Sequence, residues 1–437
     1  MNKIQNKGDP DHVYIDINLY NQPDQIDDKP QFLEYCEQRQ SPILPTNAED
    51  WYMSVVRFSL QTGSTLPIWI PKLELGQSNP DLLVYVMTVK YKTGVDTPQF
   101  ITVSKNVKWY PEDVTAVKPS PPAIGPLAPG VLPGTPLELV TDDNIPPFIS
   151  QDLTTGYYYA YSSQHIIRVF NATLRDIYEE LYALGSENGF PMRDDFAYQF
   201  FELDANNRWV LNSDLDLFNT KYLRSDRSLP DNGHCALYFN NALYTLLSSF
   251  PCCKVKSGGT QESYRVSIAN NANANILHTS IDPRNTDATN ERLWIQTVQE
   301  YDSSSLFCPV QSIVFKTTMI PVSNTLSSPQ QILNLNSNNI ARKSFLNSGN
   351  NTMTDNILTD FQVNMDNISS YAGTLQYGPV GEYRLIDLIG SGQTQFNEIN
   401  ISVFWKDEVG GLHQFFLDAG CNFNIKIMFR KKSFSNN

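Results

Sequence analysis

The fold is decided by the C-terminal stretch Ile399–Phe429, which reads INISVFWKDEVGGLHQFFLDAGCNFNIKIMF. Apolar and polar residues alternate at both of its ends, from Ile399 to Val403 and from Phe423 to Phe429. A period of two places the apolar set on one buried face of a β-strand. Gly410-Gly411 predicts a hairpin turn, because glycine reaches the positive φ angles that tight turns require, so Leu412–Leu417 should pair back on Val403–Lys406.

The same strand pattern recurs along most of the chain, beginning with Val13–Leu19. The further predicted strands are Tyr52–Leu60, Leu66–Ile70, Leu82–Tyr91, Phe100–Ser104, Phe196–Leu203, Trp209–Leu211, Tyr264–Ile268, Leu293–Tyr301, Val310–Ile320, Ile357–Met365 and Tyr383–Ile389. Helices do not alternate with these strands, which argues against parallel βα units. The sequence therefore predicts a mainly β fold, a jelly roll built as an antiparallel β-sandwich, with long loops and a more helical insertion.

Two helices are expected in the middle of the chain. Asn171 is placed to cap a helix with apolar residues at Leu174, Ile177, Tyr178, Leu181 and Leu184 and a stop at Gly185. A second helix is predicted over Ala242–Ser249, capped by Asn240 or Asn241. The Pro-rich segment 118–147 and the Asn/Ser-rich stretch Ser323–Thr354 are expected to be long loops.

These patterns suggest three parts. We expect an N-terminal arm over residues 1–50, a jelly-roll domain over residues 51–165 and 256–437, and an insertion domain over residues 166–255. The arm is polar and interrupted by prolines, and Val13–Leu19 within it is available to pair with a strand edge on a neighbouring chain.

Composition excludes several classes of function. The formal net charge of the 437 residues is -14, so wrapping of nucleic acid is not expected. A short basic tail, Arg430, Lys431 and Lys432, is expected to be solvated. No run of about 18 apolar residues exists to span a membrane, and no apolar signal segment opens the chain. The six cysteines lack the dense spacing of small secreted scaffolds, so reduced thiols and assembly in a cytosolic or nuclear compartment are expected.

The candidate chemical groups are few. His234 and Cys235 lie near Cys252 and Cys253 in sequence, but neighbouring cysteines on a strand point to opposite faces, which favours buried thiols over a metal site. Gly390-Ser391-Gly392 lacks the lysine of a phosphate loop and favours a turn.

Paired carboxylates and tryptophans also favour structural roles. The adjacent pairs are Asp142-Asp143, Glu179-Glu180 and Asp194-Asp195, whereas glycosidase chemistry needs carboxylates that face each other across a cleft. The six tryptophans are spread over the chain, which favours core positions over a sugar-stacking platform. We therefore expect no enzyme, no catalytic, cofactor-binding or metal-binding residues, and no cofactor.

Three segments resemble the minor capsid, penton-type proteins of small eukaryotic double-stranded DNA viruses: virophages, adintoviruses and Polinton-like viruses. They are Val56–Leu60 with Leu66–Pro71, Leu237–Asn240 with Leu246–Pro251, and the C-terminal stretches Ser312–Phe315, Ile320–Val322, Glu382–Leu388, Val403–Asp407 and Lys426–Lys432. The resemblance implies a jelly roll at the base of a vertex pentamer, with an outward insertion. No Arg-Gly-Asp triplet occurs, so integrin attachment is not supported.

The expected function is that of a structural capsid protein of an icosahedral virion, the penton subunit. Its partners would be four further copies of the chain, neighbouring major capsid subunits and a host receptor. The alternatives are a double-jelly-roll major capsid protein, a receptor- or sugar-binding jelly-roll protein, and an enzyme on a β-sandwich. A lectin should expose an aromatic cluster, and an enzyme should show converging titratable groups.

Overall fold

The structure is a computed structural model of the chain. It describes residues 11–23, 29–63, 65–74, 79–92, 100–118, 156–189, 192, 197–214, 217, 234–256, 262–268, 277–281, 291–303, 308–323, 325–327, 331–335, 341–345, 353–363, 373–378, 384–390, 396–408 and 410–432.

The described residues divide into two compact units. The first takes its elements from Met1–Pro67 and Pro309–Asn437, and the second from Ile68–Thr135 and Phe148–Cys308. In chain order, the second unit is thus inserted into the first.

The first unit contains two sheets of five strands. The strands of sheet I are β1 (His12–Tyr20), β4 (Trp51–Gln61), β20 (Thr374–Tyr377), β21 (Ile386–Asp387) and β25 (Asn422–Lys431). Those of sheet II are β3 (Glu34–Gln38), β14 (Val310–Lys316), β19 (Ile357–Gln362), β22 (Glu398–Asp407) and β23 (Leu412–Gln414).

The order of the strands is that of a jelly roll, which confirms the predicted fold. Sheet I runs β1-β25-β4-β20, and in sheet II β3 and β23 both pair with β22, followed by β14 and β19. All of these pairings are antiparallel. With β1 taken as strand B and β25 as strand I, this is the B-I-D-G and C-H-E-F arrangement of two Greek keys. The second unit follows strand D (β4) and precedes strand E (β14).

The last strand, β25, lies in the middle of sheet I. It pairs over its whole length with β1 on one side and β4 on the other. Phe423, Ile425, Ile427 and Phe429 on its inner face are at most 1 % exposed. The period-two prediction for this strand is therefore confirmed.

Aromatic rings fill the space between the two sheets. The Phe58 ring of β4 lies 5.2 Å from the Phe315 ring of β14 and 4.6 Å from the Phe361 ring of β19, measured between centroids. Phe315 also lies 6.0 Å from Phe423 of β25. Tilted and stacked rings at these distances stabilise the fold beyond the burial of their apolar area, so this cluster joins the sheets.

Three strand segments meet at one backbone junction in sheet II. The Val403 amide donates to the Leu33 carbonyl, Leu33 donates to Phe415, and Phe415 donates back to Val403, at N–O distances of 3.0, 2.9 and 3.0 Å. All three side chains are buried. The junction splits the predicted strand Leu412–Leu417 into β23 and β24 (Phe416–Leu417), which pairs with β2 (Gln31–Phe32).

The hairpin at Gly410-Gly411 is confirmed. β23 pairs back on β22 with Lys406 opposite Leu412. Gly410 has a φ of 86°, which favours glycine. A Cβ on Gly411 would lie 2.7 Å from a carboxylate oxygen of Asp407, whose other oxygen accepts the Gly411 amide.

Part of the predicted loop Ser323–Thr354 is instead built from short strands. β15 (Thr325–Ser327) pairs with β18 (Met353–Asp355), and β16 (Gln331–Leu335) pairs with β17 (Ala341–Phe345). The predicted strand Val310–Ile320 ends earlier, at Lys316. There the Asn400 side chain accepts hydrogen bonds from the Thr318 and Met319 amides at 2.9 Å and turns the chain.

In the residues that the structure describes, the second unit has two sheets and two helices. One sheet runs β10 (Cys252–Lys256), β11 (Glu262–Val266), β9 (His234–Asn240), β5 (Leu82–Lys92) and β6 (Phe100–Lys108). The other runs β12 (Leu277–Ile281), β13 (Glu291–Val298), β8 (Trp209–Asp214) and β7 (Phe200–Leu203). Helix α1 (Ser163–Glu187) packs on β5, β6 and β7, and α2 (Asn241–Leu246) packs on β5, β9 and β11.

Helix α1 begins earlier than predicted. Ser162, not Asn171, caps it by accepting the His165 amide, and Gly185 lies within it. The Asn171 side chain instead bonds the backbone N–H and C=O of Phe201 at 2.7 and 2.9 Å. The cap of α2 is Asn240, one of the two residues predicted.

Leu66–Ile70 forms no strand, only a bridge between Trp69 and Ala160. Pro67 and Pro71 remove backbone donors here, and Leu66, Ile68 and Trp69 are buried all the same: the Trp69 ring packs 5.7 Å from Trp109 and 5.9 Å from Phe170. Burial, not strand pairing, accounts for the apolar run.

The expected domain boundaries differ from the observed division. Residues 12–20 and 34–38 of the expected arm (1–50) form β1 and β3 of the jelly roll, because each pairs with a C-terminal strand. Of the expected jelly roll 51–165 and 256–437, the strands β5, β6 and β11–β13 pair within the second unit. The expected insertion 166–255 lies wholly inside Phe148–Cys308.

Truncation of Ile427 tests the central place of β25. The side chain is fully buried, and its strand lies between β1 and β4. Ile427→Ala should therefore lower the free energy of unfolding by about 2–5 kcal/mol. Asn422→Ala, at an exposed position of the same strand, is the matched control. Urea unfolding followed by circular dichroism gives both values; equal midpoints for the two variants would exclude Ile427 from the core.

Truncation of Ile17 separates a core strand from an arm. Ile17 of β1 is 2 % exposed and lies opposite Ile425, so Ile17→Ala should destabilise the chain by about 2–4 kcal/mol. Asn18→Ala, on the exposed side of β1, should change the urea midpoint little. If β1 were an arm outside the core, both substitutions would change the urea midpoint by the same small amount.

Candidate functional site

The four histidine and cysteine residues that lie near each other in sequence do not converge in the structure. His234 and Cys235 lie on β9, whereas Cys252 and Cys253 lie on β10, and β11 runs between these strands. β9 and β10 are two strand spacings apart, roughly 10 Å, and side chains on strands at this separation do not reach one metal ion together. Across the described residues, no three or more His, Cys, Asp or Glu side chains gather at one point.

The thiols differ in exposure and in pKa. Burial raises the pKa of the Cys235 thiol well above its ordinary value and raises the pKa of Cys252 to about 12. Cys36 and Cys253 are exposed, and Cys308 is buried. Because the thiolate is the nucleophile, Cys235 and Cys252 are poor nucleophiles near neutral pH.

The tryptophans do not form a platform for sugars. All six are at most 3 % exposed. Trp109 donates its indole N–H to the Tyr157 carbonyl at 3.0 Å, and Trp51 donates to the Thr46 hydroxyl at 2.8 Å. They belong to the cores of the two units.

The carboxylate pairs offer no facing acid and base in the described parts of the chain. Glu179 and Glu180 are exposed on α1, and Glu180 pairs with Lys105 of β6 at 2.8 Å. Asp142-Asp143, Asp194-Asp195 and the Ser391-Gly392 part of the glycine turn lie outside the described residues. Also outside them lies most of the Pro-rich segment, residues 119–147.

One buried histidine of the second unit joins helix α1 to the segment that follows β6. His165 of α1 bonds the Tyr110 carbonyl at 2.9 Å and meets the Trp109 and Tyr110 rings edge-on. Burial lowers its pKa, and the nearby Glu112 carboxylate opposes that shift. Glu112 accepts hydrogen bonds from the Tyr161 and Ser162 amides, so the group anchors the start of α1.

The basic residues predicted as a tail are part of the fold. Arg430 and Lys431 end β25, opposite Tyr52 and Trp51 of β4. The Lys432 ammonium pairs with Asp387 at 2.8 Å and lies 5.0 Å from the centre of the Tyr52 ring. These contacts close the end of sheet I.

Two outward surfaces of the jelly roll remain as functional candidates. The first, here called the β1 face, consists of the outward side chains of β1 and of its neighbours β25 and β4. Tyr14 and Tyr20 are 54 % and 60 % exposed on it. Asp16 accepts a hydrogen bond from Asn424 at 2.8 Å and pairs with Arg57 at 3.5 Å.

The second surface is an aromatic patch formed by Phe404 of β22 in sheet II together with Phe32 of β2 and Phe416 of β24. The Phe32 ring lies 5.8 Å from Phe404 and 6.2 Å from Phe416, which is 40 % exposed. The Lys316 ammonium lies 5.1 Å from the centre of the Phe404 ring. The sequence did not mark this patch, because its three residues come from distant segments that only the strand junction joins.

Jelly rolls occur in viral capsid proteins and in lectins, and in its described parts this one presents outward surfaces as its candidate sites. The chain belongs to the Sputnik minor capsid protein V18/19 family, whose model matches residues 13–132 and 138–431. As a member of that family it is a minor capsid protein and a structural component of the virion.

Solved structures share its fold. A chain of the Sputnik virophage, seen by cryo-electron microscopy, superposes with a TM-score of 0.64 at 20 % identity, over 98 % of this chain and 100 % of that one. The mavirus penton protein superposes with a TM-score of 0.53 at 13 % identity, over 96 % and 99 %. No curated protein sequence matches the chain. Among the described helices, none has the length and apolar character to cross a membrane.

The thiol environments can be tested by labelling. Under native conditions near pH 7.5, iodoacetamide should modify Cys36 and Cys253 first, because both are exposed. Cys235 and Cys308 should react only after unfolding, since both are buried. Peptide mass spectrometry over a time course measures each site. Early labelling of Cys235 would contradict the placement of β9.

Proposed function

We propose that the chain is the penton subunit of an icosahedral capsid, with five copies closing a ring at each five-fold vertex. The observation that carries the proposal is the single jelly-roll strand order, B-I-D-G and C-H-E-F, with an insertion between strands D and E. The mavirus penton protein shares this fold over almost the full length of both chains.

The strand order of the second unit favours a penton over a double-jelly-roll subunit. Of the described sheets, those of the second unit run β10-β11-β9-β5-β6 and β12-β13-β8-β7, which is not a jelly-roll order. The second unit is therefore the proposed insertion domain, and the first unit is the proposed wedge of the ring. A ring of identical wedges requires two different, complementary side surfaces on each copy.

The proposed role needs contacts and no catalysis. Its partners would be four further copies and the neighbouring major capsid subunits. A host receptor would be a further partner. The family of minor capsid proteins supports a structural role of this kind.

The mass of the purified protein tests the proposal. Mass photometry at a series of concentrations should show a species of five times the chain mass. Cryo-electron microscopy of virions should then place it at the vertices. A stable trimer, or density on the capsid faces alone, would contradict a penton.

A further inference from the structure

We propose that the β1 face is one of the two side surfaces through which neighbouring copies of this chain contact each other. The inference rests on the proposed ring and names one of the surfaces that close it. It is carried by three properties of the face: its exposed tyrosines, its charge and the free edge of β1.

The tyrosines give the β1 face the composition of a protein interface. Tyr14 and Tyr20 are among the most exposed large side chains of the first unit. Tyrosine and arginine are enriched where proteins meet, because they offer a large contact area with few rotatable bonds. Arg57 lies on the same face, two strands away from Tyr14, with 56 % of its side chain exposed.

The charge of the face is opposite to that of the chain. Its outward strand positions carry three cations, Arg57, Lys426 and Arg430, and one carboxylate, Asp16. The chain as a whole carries a formal charge of -14. Copies of an acidic chain repel one another, so a contact in which this cationic face meets an acidic surface of the next copy reduces the repulsion.

The β1 strand also offers a free backbone edge. It is nine residues long and pairs on one side with β25; among the described strands, none pairs with its other side. The other nine-residue edge strand among those described, β6, contacts α1 and is joined to it by the Lys105–Glu180 pair. An uncovered edge of this length is a template for association unless another chain covers it.

The side chains of the face are already held in place. Asn424 bonds both Asp16 and Asn18, and the Lys426 ammonium lies 5.3 Å from the centre of the Tyr14 ring. Groups that are ordered before binding lose less conformational entropy when the partner arrives. The face is therefore suited to a rigid contact between folded copies.

Paired substitutions and a cross-linker test the inference on the full chain. Tyr14→Ala/Tyr20→Ala and, separately, Arg57→Ala should weaken self-association about tenfold or more, as measured by mass photometry over a dilution series. Tyr301→Ala is the matched control, because Tyr301 is 53 % exposed in the second unit. A photo-reactive benzoylphenylalanine in place of Tyr20 should form covalent links between copies, and the same group at residue 301 should not.

The outcomes separate this inference from the proposed function. If the wild-type chain forms pentamers and the variants form them equally well, without links from position 20, the β1 face is not an interface between copies. Normal rings that fail to enter capsids would assign the face to another capsid protein and would also overturn the inference. A wild-type chain that stays monomeric at all concentrations would overturn both proposals.

Discussion

The pairing of β25 with β1 and β4 is the constraint on which the jelly roll depends. It places the last described strand in the centre of sheet I, where its apolar residues lie beside Phe58 of the same sheet and face Phe315 across the sandwich. The first and last described strands are thereby joined along nine residues. Because the pairing of β1 with β25 completes sheet I, the chain can leave the sandwich after β4 and return at β14 without disrupting the sheets.

The alternation of apolar and polar residues predicted the strands that bury only one of their two faces. β4, β22 and β25 bury alternate apolar side chains, so their strands could be recognised from the sequence. β3 could not, because Glu34, Cys36 and Gln38 are exposed and its intervening residues are only half-buried. Its strand character comes from pairing with β22, more than three hundred residues away, and local sequence does not encode a partner.

The surfaces were harder to predict than the core. The alternation of Val13–Leu19 marked a strand, but the same pattern suits an arm that pairs with another chain and a strand that pairs with its own. The register with β25 decides between them, and it also sets Tyr14 and Tyr20 on the outside. The aromatic patch of Phe32, Phe404 and Phe416 likewise depends on which segments meet, so no single window of sequence contains it.

The junction of Leu33, Val403 and Phe415 has a consequence for synthesis on the ribosome. Its backbone bonds join a segment made early to two made near the end, and the strand partners of β1 and β3 are made equally late. All described strand pairings of the second unit, by contrast, lie between residues 82 and 298. The N-terminal strands must therefore wait unpaired while the inserted unit emerges, and contacts so distant in sequence form slowly. A nascent chain of this design exposes the strand edges of β1 and β3 until β22 and β25 have been translated.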